Sequence, residues 1–253
     1  MNLFKIWGGS GKEILKKVYR LSRRLDSFFD KSFLSEDVPM SKKYSHENWR
    51  QSLSLQYNKP GMRILEIGSR EVVDKSIKGL FSDAEYIGFD YHKGKNVDVV
   101  GDAHKLSTFF QKNEKFDLIL SSAVFEHLAM PWIVSNEINK VLKIGGCVFI
   151  ETHFSFSSHE RPWHFFQFSD MALKVLFNEA MGFKTIEAGA SNPIVGRFSK
   201  YADKYLAYRP IGGLYCHSEI YAQKVENIED FDWNNVQIES IVKGTEYPLD
   251  RSV

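Results

Sequence analysis

Apolar positions along the chain change their period after the first sixty residues, and that change organises everything after it. Near the start, Ile14, Leu15, Val18, Leu21, Leu25, Phe28 and Phe29 recur at intervals of three and four, the spacing of one helix face. Lys12, Lys16, Lys17, Arg20, Arg23 and Arg24 fill the positions between them, so the predicted helix is amphipathic and basic. Such a face can pack on its own domain, on a second copy in a homodimer, or peripherally on an anionic membrane surface. Ser35 to Ser45, polar around Pro39, reads as a linker.

From Gly61 the pattern becomes short apolar runs separated by helical stretches. Arg63–Ile67 and Glu85–Asp90 read as strands, with a helix expected over 71–80 between them. Strand, helix and strand within about 30 residues form the unit that pairs strands in parallel. Val97–Val100, Phe116–Ser122, Cys147–Glu151 and Lys184–Ala188 continue the series, and Leu214–Lys224 returns as a seventh strand. Helices are expected over 104–112, from Pro131 to about Leu142, and from the Ser169 cap to about Ala180. Residues 192–213 hold Pro193, Pro210 and paired glycines and read as an inserted loop, and the tail from Val225 is polar. The expected division is a helix and linker over 1–45, a main domain over 46–225 with an insertion at about 190–213, and a tail over 226–253.

Composition narrows the functional classes. Hydrophobic residues at 43% and charged residues at 26% are ordinary for a globular fold. With 33 basic against 32 acidic side chains, the net charge of +1 gives no support to a nucleic-acid partner. Two cysteines form neither a disulfide framework nor a zinc spacing. No run approaches the roughly 18 apolar residues of a spanning helix, and the N-terminus lacks a secretion signal. The expected location is the cytoplasm, with contact at the inner face of a membrane open through the first helix.

Open parallel sheets bind ligands beyond the carboxyl ends of their strands, and polar residues gather at those ends here. They are Glu66, Gly68 and Ser69 after the first strand, Asp90 after the second, Asp102 after the third, Ser121 and Ser122 after the fourth, and Glu151 and His153 after the fifth. Asp90 lies 22 residues beyond Gly68, close to the interval of about 20 at which an acid after the second strand meets a ribose.

The blocks ILEIGS at 64–69, GFD at 88–90, GDAHKL at 101–106, FDLILSSAVFEHL at 116–128 and EINKVLKIGGCVFIE at 137–151 resemble the class I S-adenosylmethionine-dependent methyltransferases. The resemblance covers about Gly61 to Ala188. It implies a Rossmann-like α/β three-layer sandwich with a mostly parallel seven-stranded sheet, its last strand antiparallel. It implies S-adenosyl-L-methionine as cofactor, with Glu66 helping to position the methionine part, Gly68 and Ser69 in the loop that meets the cofactor, and Asp90, beside Tyr91, on the ribose. Asp102 and Ala103 would face the adenine, and Ser121 would lie near the methionine part. The first loop reads Gly68, Ser69, Arg70, Glu71 where that family carries two or three glycines, so a non-catalytic binding module stands beside the enzyme as a second reading. A dinucleotide-dependent oxidoreductase shares the strand–helix–strand start but would need a glycine fingerprint after Gly68.

Transfer to oxygen would need a base, and the expected catalytic candidates are His127, His153 and His164, within a wider group of His159, Glu160 and Arg161. The spacings of six and five among His153, His159 and His164 match no close helical pair, and no metal is expected. Trp163, Phe165, Phe166 and Phe168 would wall an acceptor pocket or belong to the core. The expected acceptor is a small molecule or a glycan, methylated at oxygen.

Overall fold

The computed structural model describes residues 37–72 and 76–241, with positions 13, 14, 16–18, 20, 21 and 34 before them. Those positions between 13 and 21 are helical, and the rest of the predicted N-terminal helix, with its role in dimer or membrane contact, lies outside the described residues. Contacts gather the chain into two units, Val38–Asn192 with Tyr215–Val253, and Met1–Asp37 with Pro193–Leu214.

The larger unit is built on seven strands: β1 (Arg63–Ile67), β2 (Glu85–Asp90), β3 (Val99–Val100), β4 (Phe116–Ser122), β5 (Leu142–His153), β6 (Phe183–Pro193) and the returning strand Tyr215–Lys224. In the smaller unit β7 (Gly196–Arg197) pairs antiparallel with β8 (Pro210–Ile211), so the segment expected to be an irregular loop holds a small hairpin. The returning strand is therefore β9. The sheet order is β3-β2-β1-β4-β5-β9-β6. Pairing is parallel from β3 through β5, and β9 runs antiparallel to β5 with His153 opposite His217. This is the expected three-layer architecture with an antiparallel strand.

Strand side chains alternate between faces, and the alternation divides the core in two. Leu65, Ile67, Ile119, Val148, Ile150, Ile220 and Ala222 lie on one face. They pack with Val134, Ile138 and Val141 of a helix at Pro131–Val141 and with Leu173 and Leu176 of a helix at Asp170–Leu176. Ile64, Leu118, Leu120, Cys147, Phe149 and Tyr221 lie on the other face, under Trp49, Leu53 and Tyr57 of a helix at Trp49–Tyr57. In chain order these helices are α1 (Trp49–Tyr57), α2 (Pro131–Val141) and α3 (Asp170–Leu176), and a short α4 (Ile238–Ile241) follows β9. Pro131 stands in the first turn of α2, and the Ser169 side chain accepts the Ala172 N–H at the start of α3, as their chemistry dictates.

Three local expectations are corrected. The helix expected over 71–80 is, among the described residues, a single tight turn at Lys78–Phe81, and that expected over 104–112 is a kinked 3₁₀ stretch at Ala103–Phe109. The linker at 35–45 is packed from Pro39 onward: Ala190 N–H donates to the Pro39 carbonyl at 2.8 Å, Ser41 N–H donates to the Ala190 carbonyl at 3.0 Å, and Tyr44 is buried. Backbone of this segment pairs with β6, and the Ser41 hydroxyl donates to Glu219 of β9 at 2.7 Å.

Candidate active site

A cavity of about 830 Å³ opens at the carboxyl ends of β1, β2 and β4. β1, β2 and β4 deliver the residues at and just beyond their ends there, whereas the end of β5 does not reach it. Glu66, Gly68, Ser69, Asp90, Tyr91, Asp102 and Ala103 all line it. Ser121 does not: it is fully buried, and its hydroxyl donates to the Ile67 carbonyl at 3.0 Å. Ser122, Ala123 and Val124 line the cavity in its place.

Gly68 adopts φ +87°, and a Cβ there would stand 2.2 Å from a methyl of Val124. The glycine is thus required by the approach of the segment after β4 as well as by its turn. The loop it opens is tied to β2, since the Gly68 and Ser69 N–H groups both donate to the Phe89 carbonyl. Asp90 accepts the His92 N–H at 2.8 Å and the Arg70 N–H at 3.3 Å, and lies 3.5 Å from the Arg70 guanidinium. Asp102 accepts the N–H of His104 at 2.9 Å and its Nδ1–H at 2.7 Å. Burial pushes the Asp102 carboxyl up, but the His104 contacts outweigh it and hold the group below its ordinary value.

Glu66 behaves oppositely. Burial pushes its carboxyl up to about 8, against the pull of Arg50 and with a further push from Asp90. The Tyr86 hydroxyl donates to it from the neighbouring strand. Arg50, its ring-stacking partner Trp49, His159, Glu160, Trp163 and Phe165 also line the cavity. Of the lining residues, Arg50 carried no strand-end signal, because it arrives from α1, before the sheet begins.

The histidines separate into different roles. His127 lines the cavity, and its Nδ1–H donates to the Trp163 carbonyl at 2.9 Å. His153 is buried off the cavity wall, its ring stacked on Phe156 at 4.4 Å and its Nδ1 2.9 Å from a carboxylate oxygen of Glu126. His164 does not line the cavity; its Nδ1 accepts the His159 N–H at 3.3 Å, so it supports the loop that carries His159. Phe166 packs against the core and Phe168 is buried within it, whereas Trp163 and Phe165 are exposed toward the cavity. Glu151 is turned elsewhere, accepting from Ser122 at 2.7 Å and paired with His46 at 2.8 Å.

The residue set fits S-adenosylmethionine. The buried Ser69 hydroxyl has no hydrogen-bond partner among the described residues and belongs to the cavity lining, and Glu66 beside it can give up its proton to pair with an ammonium or sulfonium. Residues 71–150 match the family model described as a methyltransferase domain. Residues 71–150 thus carry a methyltransferase domain, of the kind that uses S-adenosylmethionine. The fold of this methyltransferase is also that of the YcgJ protein from Bacillus subtilis, at 16% identity and a TM-score of 0.50, covering 72% of this chain and 100% of that one. A SAM-dependent methyltransferase from Archaeoglobus fulgidus aligns at 16% identity over 72% of this chain and 97% of its own, with a TM-score of 0.47. No curated protein matches the methyltransferase in sequence. Among its described residues no helix is long and apolar enough to cross a membrane.

Proposed function

We propose that this methyltransferase acts on a hydroxyl oxygen of a small-molecule or glycan-type acceptor, with His127 as the base. The observation that carries this is the His127–Trp163 hydrogen bond. A carbonyl can only accept, so Nδ1 holds the proton and Nε2 presents its lone pair. Nε2 lies 3.7 Å from the exposed Glu160 carboxylate, which can pair with the ring when it carries the proton.

When bound, S-adenosylmethionine supplies an electrophilic methyl carbon on a sulfonium sulfur. Glu66, Ser69, Asp90 and Asp102 hold the donor, and the chain's remaining task is alignment and exclusion of water. His127 Nε2 would take the proton of an acceptor hydroxyl whose oxygen receives the methyl group, the donor's sulfur being left as a neutral thioether. Glu160, largely exposed, can pass that proton on to solvent.

Trp163 and Phe165 support a ring-shaped acceptor, because their exposed faces border the same cavity and offer the flat apolar surface on which the C–H face of a sugar stacks. The test is incubation of the full chain with labelled S-adenosylmethionine and fractionated cell extract, followed by identification of the labelled product. A base-stable ether methyl on a carbohydrate or hydroxylated small molecule is the expected product. Label recovered only on nitrogen, on carbon or in nucleic acid would overturn the reading.

A further inference from the structure

The Nδ1 of His153 and the Oε1 of Glu126 are 2.9 Å apart, yet neither has a hydrogen-bond partner. The separation is that of an ion pair whose angles fall short of a hydrogen bond, so a nitrogen and a carboxylate oxygen stand side by side in a buried pocket. Both residues are more than nine-tenths buried, Glu126 fully. One donor atom of His159 completes a trio whose members all lie within 4.8 Å of one another.

We infer that Glu126, His153 and His159 form a binding site for a divalent transition cation of the zinc class, open toward the cavity. Two imidazoles and one carboxylate are a donor set suited to such ions, and three protein ligands leave a position for another group. Two of the three ligands are fixed through their other end, as metal ligands commonly are. The second oxygen of Glu126 accepts the Thr152 hydroxyl at 2.6 Å, which leaves Oε1 to the ion. His159 Nδ1–H donates to the Ser157 carbonyl at 3.0 Å, which leaves Nε2 as its lone pair. The His153 ring is held flat against Phe156.

The location supplies a purpose. His159 lines the cavity beside His127, so an ion there would stand next to the base that receives the acceptor's proton. Bound to the ion, an acceptor hydroxyl would lose that proton more readily, because a divalent charge stabilises the oxyanion. This role for the ion rests on the oxygen-acceptor reading above; occupancy of the site does not. Linear spacing concealed the trio, since its carboxylate comes from the segment after β4, 27 residues before His153.

The test uses the full chain, stripped of metal with a chelator and shown to be folded and to bind S-adenosylhomocysteine. Titration with Zn²⁺ should give one tight site by calorimetry, and Co²⁺ should produce the visible absorption of a nitrogen- and oxygen-ligated centre. His159→Ala, a half-buried position, should weaken Zn²⁺ at least tenfold while leaving S-adenosylhomocysteine affinity within about threefold. Glu126→Gln should abolish the Co²⁺ bands. A folded, cofactor-binding protein that takes up neither ion, or variants that bind Zn²⁺ as tightly as the parent, would overturn the site. Metal binding with no methylation of any hydroxyl compound would leave the site standing and count against the oxygen-acceptor reading alone.

Discussion

His127 and Trp163 are joined through a side-chain N–H and a backbone carbonyl across 2.9 Å, although 36 residues separate them in sequence. The loop carrying Trp163 is brought there by its own backbone, with the Phe165 N–H donating to the Glu126 carbonyl at 2.8 Å and the Phe168 N–H to the His153 carbonyl at 2.8 Å. One loop therefore sets the tautomer of His127 and places an aromatic wall beside it.

Replacing His127 with Ala should lower kcat by about 10²- to 10⁴-fold, the usual share of a positioned base. On the proposed reading, in which the ring faces the acceptor, cofactor affinity should stay unchanged. Steady-state kinetics on the identified acceptor, with calorimetry for the cofactor, separates the two; an equal loss in both would assign His127 to folding instead.

Asp90 should dominate cofactor affinity. Its carboxylate is already fixed by the Arg70 and His92 N–H groups, so it is presented to a ligand at little further ordering cost. Asp90→Ala should weaken S-adenosylhomocysteine by roughly 1 to 3 kcal/mol, the cost of removing one partner of a charged hydrogen bond. Calorimetry reads this directly, and parental affinity in the variant would show that another acid takes the ribose.

Glu66 makes cofactor binding depend on pH. With its carboxyl pushed up to about 8, the ligand-free protein holds it protonated at neutral pH. A cationic ligand favours the carboxylate, so binding releases a proton and affinity should rise with pH until about 8, then level off. Glu66→Gln should flatten that profile. Calorimetry in buffers of different ionisation enthalpy would also count the released proton.

Glu219 applies the same linkage to stability. Burial pushes its carboxyl up to about 7, although the Ser191 and Ser41 hydroxyls pull the other way. Between about 4.5, its unfolded value, and 7, the folded chain holds a proton that the unfolded chain has lost. Stability from this residue is complete below that window and declines as pH rises through it. Thermal unfolding midpoints should fall less steeply from pH 5 to 7 in Glu219→Gln than in the parent, and identical slopes would assign the proton elsewhere.

Gly68→Ala should destabilise the fold by roughly 1 to 3 kcal/mol, since it places a Cβ at positive φ and against Val124. Adding Val124→Ala should recover the part due to the clash and leave the part due to backbone strain. Denaturant unfolding of the two single variants and the double variant separates these contributions.

The sheet and much of the cavity lining were legible along the chain because both depend on local periods. Alternating apolar residues define each strand, and a strand's end must carry the polar groups that leave the ladder; hence Glu66, Gly68, Ser69, Asp90 and Asp102 could be named from Arg63 onward. Ser121 shows the limit of that rule: one step of the pleat puts its hydroxyl under β1 and gives the cavity to Ser122. Helices were less legible, since the stretch at 103–109 tightens into 3₁₀ turns where packing space, rather than sequence period, decides. The histidine cluster belongs to tertiary structure altogether. His127, His153, His159 and Glu126 come together only because β4 and β5 lie side by side and the loop from 154 to 168 folds back across their ends. No spacing along a chain encodes that approach; the pairing of two strands does.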